Sequence, residues 1–498
     1  MKRVIFILIL GIFFLGEKSY SSEKKKSVVI NKKLKIEEVV DYLFKNNHNV
    51  RSLLLSYQGT SSDLLRFRSK YDLNLVASAL HSSQKSSLES ENYYGQLTAN
   101  NYSLVLRKKF STGTTIEGSL YGLDQERKDP LSTLATSGKK YQSGVKVEVS
   151  QEILKNSFGI IDRQNEKQKI NEKKMNRLLI REKLAVLLVD AIVGYWNVAI
   201  AEKNLVTTKE NLESTIDIRN LIIKKRKLGL AEKEDLLDWK RKVRQSQNRH
   251  EQAQKILFDA RLAVLRVLNL DFKTEFETYS TFKKGAPQIK LDQAYQDAFL
   301  KRVDWNNQKI RLENAKINYQ VAENSFWPSL KIKAGIGTED HDFNSYSKTF
   351  DDFNREYSVG LEFNYPLENR AGEVFVKDSK LAWQQQVVSL EKLEKSIKNE
   401  LNSLINRCQV DYKIYRQNKE AKDYAQGYYK QVLAKFKRGR YSAVQLKMAL
   451  DEYLIAWQTE LQSLIDYNVS ILKRDLARNV VFDNYNIDID RILKKIED

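Results

Sequence analysis

The side chains that most often do chemistry are few and scattered in this chain. Its four histidines, His48, His81, His250 and His341, lie far apart, and His250 falls in an apolar helical seam. One close cluster exists, Glu339, Asp340, His341 and Asp342. These are donors a metal can use, yet adjacent carboxylates in a polar loop are ordinarily solvated, so no metal is expected there. Cys408 is the single cysteine, which excludes an intrachain disulfide. The sequence carries no nucleophile elbow, phosphate-cradling loop or zinc spacing. It therefore predicts no enzyme, with no catalytic residues, no metal site and no cofactor.

What it offers instead is recognition chemistry at two matched turns. Residues 225–239 read KRKLGLAEKEDLLDW, and residues 435–457 read KFKRGRYSAVQLKMALDEYLIAW. In each, a basic helical run meets one glycine, Gly229 or Gly439, and a new apolar-periodic run follows. Glycine accepts the left-handed backbone that ends a helix and lets the chain reverse. The glycines stand 439 − 229 = 210 residues apart, which marks a duplicated unit and not a solenoid. Lys224, Lys225, Arg226 and Lys227 approach the first turn; Lys435, Lys437, Arg438 and Arg440 surround the second. The helix dipole favours cations there, at about 0.3–1 kcal/mol each.

Long antiparallel helices must carry these turns. The four prolines are Pro130, Pro287, Pro328 and Pro366, so nothing between 131 and 286 or after 366 forbids them. Helices are predicted at 34–58, 160–226, 233–270 and 290–325, the last ended by Pro328. Val243, Ser246, His250, Ala253, Leu257, Ala260, Val264 and Val267 step by three and four, as in a coiled-coil seam. Leu205, Leu212, Ile216 and Ile223 are expected opposite them. Leu446, Leu450, Tyr453, Trp457, Leu464, Tyr467 and Ile471 repeat the pattern in the second half.

Between the helices the period changes to two. Val145, Val147 and Val149 alternate with Lys146, Glu148 and Ser150; Leu330, Ile332, Ala334 and Ile336 with Lys331 and Lys333; Tyr357, Val359, Leu361 and Phe363 with Ser358, Glu362 and Asn364. Tyr71–His81 is another strand, and Ser103–Phe110 with Thr114–Leu123 a hairpin. Residues 83–98, 125–140 and 338–352 read as polar loops. One apolar face suits a sandwich or a membrane barrel. No second layer is available to cover it, and the chain opens on an export signal. Lys2 and Arg3 precede an apolar core, Val4–Leu15, and Ser19 and Ser21 suit cleavage near Ser21. No cysteine follows, so no lipid anchor is expected. The net charge of +20 is interspersed along helices, which points to solvated faces and not to nucleic acid.

With this order in place, the chain resembles the outer-membrane efflux (TolC-like) family over nearly all its mature length. The resemblance rests on Leu228-Gly229-Leu230 followed by Asp235-Leu236, and on Arg438-Gly439-Arg440 followed by Gln445-Leu446. The strand-to-helix junctions at 149–168 and 363–380 support it. It implies a mixed α and β fold in two repeats, 23–284 and 285–480, after a signal peptide at 1–22 and before a tail at 481–498. Barrel strands fall at about 71–150 and 329–365. It implies a homotrimer sharing one outer-membrane β-barrel in lipid, with the helical hairpins forming a coiled-coil tunnel in the periplasm. A periplasmic adaptor docks at the tips and leads to an inner-membrane pump of RND, ABC or MFS type.

The implied docking residues are Leu228, Gly229, Leu230, Arg438, Gly439 and Arg440. The implied gate candidates are Asp235, Phe436, Tyr441, Gln445 and Met448. Here the sequence departs from the family. Phe436 stands where a tyrosine is common, Tyr441 where a linking arginine stands, and Gln445 and Met448 where the best-known member has aspartates. An acidic entrance ring therefore does not carry over. If the 103–123 hairpin joins the barrel, each protomer gives six strands and not four. A competing expectation is a secreted or periplasmic coiled-coil structural or adhesion protein, which leaves the strands unexplained.

Overall fold

The computed structural model describes residues 33–85, 94–130, 138–279, 282–288, 290–350 and 354–497. The expected signal peptide lies outside them. The chain runs β1 (Lys33–Leu34), α1 (Ile36–Asn46), α2 (His48–Gly59), α3 (Ser62–Arg68), β2 (Asn74–Lys85), β3 (Tyr94–Lys109), β4 (Thr114–Pro130) and β5 (Gly138–Glu152). Then come α4 (Ile160–Lys227), α5 (Lys233–Leu268), β6 (Glu277–Thr278), α6 (Leu291–Lys301) and α7 (Val303–Ser325). The order closes with β7 (Ser329–Asp342), β8 (Asn354–Asn364), α8 (Arg370–Lys437), α9 (Ala443–Ala477), α10 (Val481–Asn484) and α11 (Ile489–Glu497).

Matching elements of the two halves recur at a common spacing. α4 and α8 are both 68 residues long and begin 370 − 160 = 210 residues apart. Asn269 and Asn479, also 210 apart, both take left-handed backbone where the second arms end. The helices before the strands, α1 and α6, are instead offset by 291 − 36 = 255 residues. The first half thus holds 45 extra residues between its leading helix and its long hairpin, room for two further strands.

Two compact units divide the chain: residues up to Asn47 with Gly194–Ser280, and His48–Val193 with the chain from Thr281 onward. In the first, β1 pairs in parallel with β6. The buried Tyr195 hydroxyl lies 2.7 Å from the Leu34 carbonyl oxygen and 2.8 Å from that of Tyr279, the two acceptors for its single proton, and accepts from the Tyr279 amide. Burial pushes that phenol up to about 12. The α4 stretch that is apolar enough to cross a membrane is 61% buried within the structure, as a core helix is.

The seam between α4 and α5 differs from the predicted one on the α4 side. Asn211, Thr215, Ile218 and Ile222 are buried, while Leu205, Leu212, Ile216 and Ile223 are half-buried. The apolar pattern missed this because the facing layer is polar. Asn211 Nδ2 donates to Ser246 Oγ at 3.3 Å, and the Thr215 hydroxyl, 3.4 Å from Ser246 Oγ, donates to the Asn211 carbonyl at 2.6 Å. On α5, Val243, Ser246, Ala253, Leu257 and Val264 are buried as expected.

In the second unit α8 packs on α9. Leu446, Leu450, Leu464, Tyr467 and Ile471 are buried, and Tyr453 and Trp457 half-buried. Tyr415 stacks on Tyr467, and Tyr429 on Tyr453. The helix expected at 34–58 breaks at Asn47, and the one at 290–325 at Arg302; both residues are in extended backbone.

The same unit holds one antiparallel sheet in the order β2-β3-β4-β5-β7-β8. The 103–123 hairpin is part of it, so the sheet has six strands. The strands also run farther than the apolar alternation. β3 takes in 94–98, β4 reaches 130, β5 starts at 138 and β7 reaches Asp342, all within predicted loops. Tyr71 lies instead in a short 3-10 turn before β2.

Candidate functional site

The sheet presents two chemically different faces, fixed by its register. One row across all six strands joins Leu75, Leu106, Gly118, Val147, Ile336 and Tyr357. The next joins Ala77, Leu104, Leu120, Val145 and Thr338 and ends at Arg355 on β8, and one on the other side joins Ile116, Val149, Ala334 and Val359, with Lys108 at its β3 end. Side chains paired across an antiparallel sheet share a face, so these form one apolar face. It is uncovered: Val359 is 84% exposed, and Leu361, Phe363, Ile336 and Leu120 are exposed too.

The alternate residues form a largely polar and charged face, with Val76, Leu80, Leu97, Val105 and Leu123 as apolar exceptions. Arg107 pairs with Glu117 at 2.6 Å, Lys333 with Glu362 at 2.6 Å, and Lys146 with Glu148 at 3.3 Å. The acidic cluster of β7 is used within this sheet. Glu339 accepts from the Tyr121 hydroxyl and from Gln142, and Asp342 accepts the Asn344 and Ser345 amides.

A tight junction joins sheet to helix. Asn156, in left-handed backbone, accepts the Ile161 and Asp162 amides on its side-chain oxygen and so caps α4. Asp162 is buried, yet takes Lys70 Nζ at 2.8 Å and Lys109 Nζ at 2.9 Å. Burial alone would raise its pKa; bonds from Lys109, Lys70 and Asn156 outweigh it and hold the carboxyl below its usual range. Gly159 has φ +74°, and a Cβ there would sit 1.9 Å from the Ser111 carbonyl oxygen in the β3–β4 turn. The sequence marks 149–168 only as a strand-to-helix entry, because the contacts that tighten it join residues 48 to 92 positions apart, from Ser111 with Gly159 to Lys70 with Asp162.

The two hairpin turns share one backbone. The Leu230 amide donates to the Lys225 carbonyl at 2.9 Å and the Gly229 amide to Arg226 at 3.0 Å. In the second, Arg440 donates to Lys435 and Gly439 to Phe436, both at 3.0 Å. This is the Schellman motif, with glycine in its left-handed position at φ +71° and +77°. Nothing lies within 4 Å of a Cβ built on either glycine.

The flanking chemistry differs. The first turn exposes Leu228 (73%) and Leu230 (71%). The second exposes Arg438 and Arg440, with Lys435 Nζ 5.3 Å from the Tyr441 ring centre. α5 starts without a side-chain cap but with Glu234 and Asp235 in its first turn, where the dipole favours acids. α9 starts with a capping box: Ser442 Oγ accepts the Gln445 amide, and Gln445 reaches back to the Ser442 amide at 2.9 Å. Of the predicted gate residues, Gln445 is thus engaged in the cap. Phe436 is buried in the last turn of α8, Met448 is exposed, and Asp235 is half-exposed in the other compact unit.

These features define a class, a two-faced antiparallel sheet in a chain with two long helical hairpins, and solved structures share its fold. The chain superposes on CusC with a TM-score of 0.67 at 14% identity, over 93% of this chain and 95% of that one. It superposes on the Campylobacter jejuni CmeC outer membrane channel at 0.66 and 16% identity, over 97% and 94%. For the Neisseria gonorrhoeae MtrE outer membrane channel, described in its open state, the values are 0.63, 15%, 89% and 88%. No curated protein matches the chain by sequence. Residues 294–470 match the family described as outer membrane efflux protein. The family match covers the second half of the chain, and the fold of these channels is shared over most of its length.

Proposed function

We propose that the chain is the outer-membrane exit duct of a tripartite efflux or secretion system, acting as a homotrimer. Its sheet closes with those of two other copies in the lipid, and its hairpins line a tunnel through the periplasm. The observation that carries this reading is the uncovered apolar face opposite a charged one, since transmembrane barrels are apolar toward lipid and polar toward the lumen. A coiled-coil adhesion protein has no use for such a sheet. The test is to reconstitute the purified protein in planar bilayers and weigh it in mild detergent. Three copies and stepwise conductance are expected; a monomer with its sheet intact, or silent bilayers, refutes the reading.

The tips dock the adaptor. Their glycines admit close backbone approach, Leu228 and Leu230 offer apolar knobs, and Arg438 and Arg440 attract acidic or carbonyl-rich loops, chiefly aiding association rate and specificity. Gly229→Leu or Gly439→Leu is expected to abolish export while the trimer still reaches the outer membrane. Reversing Arg438 and Arg440 is expected to weaken adaptor binding more at low salt than at high salt. Unchanged affinity leaves those arginines only their helix-capping role. Tyr441 and Met448, beside the second tip, are the gate positions best placed to meet neighbours.

A further inference from the structure

We infer that the barrel has eighteen strands, closed by pairing the edge strand β2 of each copy with the edge strand β8 of the next copy of this chain. The inference rests on the trimeric channel reading above and adds the closing edge and the width of the pore.

The sheet is open. β2 has only β3 as neighbour, and β8 only β7. Neither edge is blunted by another element among the described residues: β2 is exposed along its whole length, and β8 at all but one position. A bilayer offers no water to the unpaired amides and carbonyls of such an edge, so a sheet in lipid must close. It cannot close on itself usefully. About eight strands are needed before side chains fit inside a barrel, and this chain has six. The partner for each edge is therefore another copy.

The two edges match. β2 has 12 residues and β8 has 11. With six strands alternating in direction, β8 runs opposite to β2, so an antiparallel pair forms at the seam. Both present the same face pattern, Leu75, Ala77 and Ala79 against Val359, Leu361 and Phe363. The β2–β3 hairpin is no appendage, because it continues both faces. Leu75, Leu104 and Leu106 extend the apolar face, while Ser78 with Ser103 (2.8 Å) and Arg107 with Glu117 extend the polar one.

Three copies of six strands give eighteen, an even number as antiparallel closure needs. With strands about 4.8 Å apart and tilted roughly 40°, such a barrel is roughly 36 Å across at the backbone. Four strands per copy would give roughly 24 Å by the same geometry. Barrels of 16–18 strands enclose an open aqueous channel. The membrane segment of this duct is therefore wide, and any narrow gate lies in the helical part.

Cysteine pairs test this directly, because Cys408 is the chain's single cysteine and can be replaced by Cys408→Ala. In that background Val359→Cys is combined in turn with Leu75→Cys, Ala77→Cys, Ala79→Cys and His81→Cys. The assembled protein in outer membranes is treated with a short bis-maleimide. At least one pair is expected to shift the denatured band to two and three times the protomer mass. Val359→Cys combined with Leu120→Cys, in the interior strand β4, should give no such shift. Native mass is measured on the same samples. Three copies with no link from β2, or with a link from β4 to the next copy's β8, overturns the eighteen-strand barrel and leaves the channel standing. A copy number other than three overturns the channel reading itself.

Discussion

Val147 lies in the middle of the apolar face, between Gly118 and Ile336, and the rows on either side hold Leu120, Val145, Ile116, Val149 and Ala334. No carboxylate stands in those rows to receive a cation. If this face meets lipid, Val147→Lys places an unpaired ammonium near mid-depth, at about 2–4 kcal/mol per protomer. At 1.4 kcal/mol per factor of ten, that lowers the folded population by roughly 30- to 700-fold. Glu148→Lys, one residue on, enters the charged face. It removes the Lys146–Glu148 pair, whose side chains are 42% and 34% exposed. Pairs of that kind contribute about 0–1 kcal/mol. The assay is the amount of heat-modifiable trimer recovered from outer membranes, followed by its urea midpoint. Val147→Lys should be strongly depleted and Glu148→Lys close to the parent. Equal recovery of the two refutes the face assignment, as does equal labelling of Val147→Cys and Lys146→Cys by a water-soluble maleimide.

The remaining expectations concern the junction and the seams. Gly159→Ala should cost about 3 kcal/mol or more, combining left-handed backbone with a collision against the Ser111 carbonyl, whereas Gly439→Ala, at similar φ but in open space, should cost about 1–2. Similar urea midpoints for these two would remove the steric argument. Asp162 has a lowered pKa in the folded protein, so its contribution is complete above the ordinary carboxylate value and lost as pH falls below about 4. Asp162→Asn should destabilise the protein at pH 7 and leave it less sensitive to acid below that point, read from unfolding midpoints across pH; an unchanged acid profile counts against the Lys70–Asp162–Lys109 cluster. Leu450→Asp buries an unpaired charge at a position 2% exposed and should disrupt the α8–α9 hairpin, by about 4 kcal/mol or more. Trp457→Asp, at a half-buried site, should be milder by the same helical-content measurement.

Local rules carried the hairpins. Long proline-free runs, basic last turns and one glycine at each reversal place α4 and α5 within a residue or two of their observed ends and locate the turn between α8 and α9 at Gly439. These signals are readable because a helix end is settled by about six consecutive residues, as the two Schellman turns show. The two-faced strands were readable where one face is apolar, since alternation then appears in the sequence itself. Residues 94–98 and 125–130 failed that test. Where both faces are polar a strand looks like a loop, and only its neighbours' hydrogen bonds reveal it.

Tertiary structure decided everything that depends on a distant partner. Whether the 103–123 hairpin joins the sheet was open until β4 was seen paired to β5 along its length. The α4 seam shifted by one position because Asn211 and Thr215 are buried against Ser246, and an apolar pattern does not count polar residues that satisfy one another. Nothing in the sequence sets Gly159 or Asp162 apart from any other glycine or helix-start acid. Their roles come from the Ser111 carbonyl and two lysines brought in from other strands and turns. Periodicity in a sequence records which side of an element faces apolar surroundings; it holds no record of which remote group arrives to fill a given place.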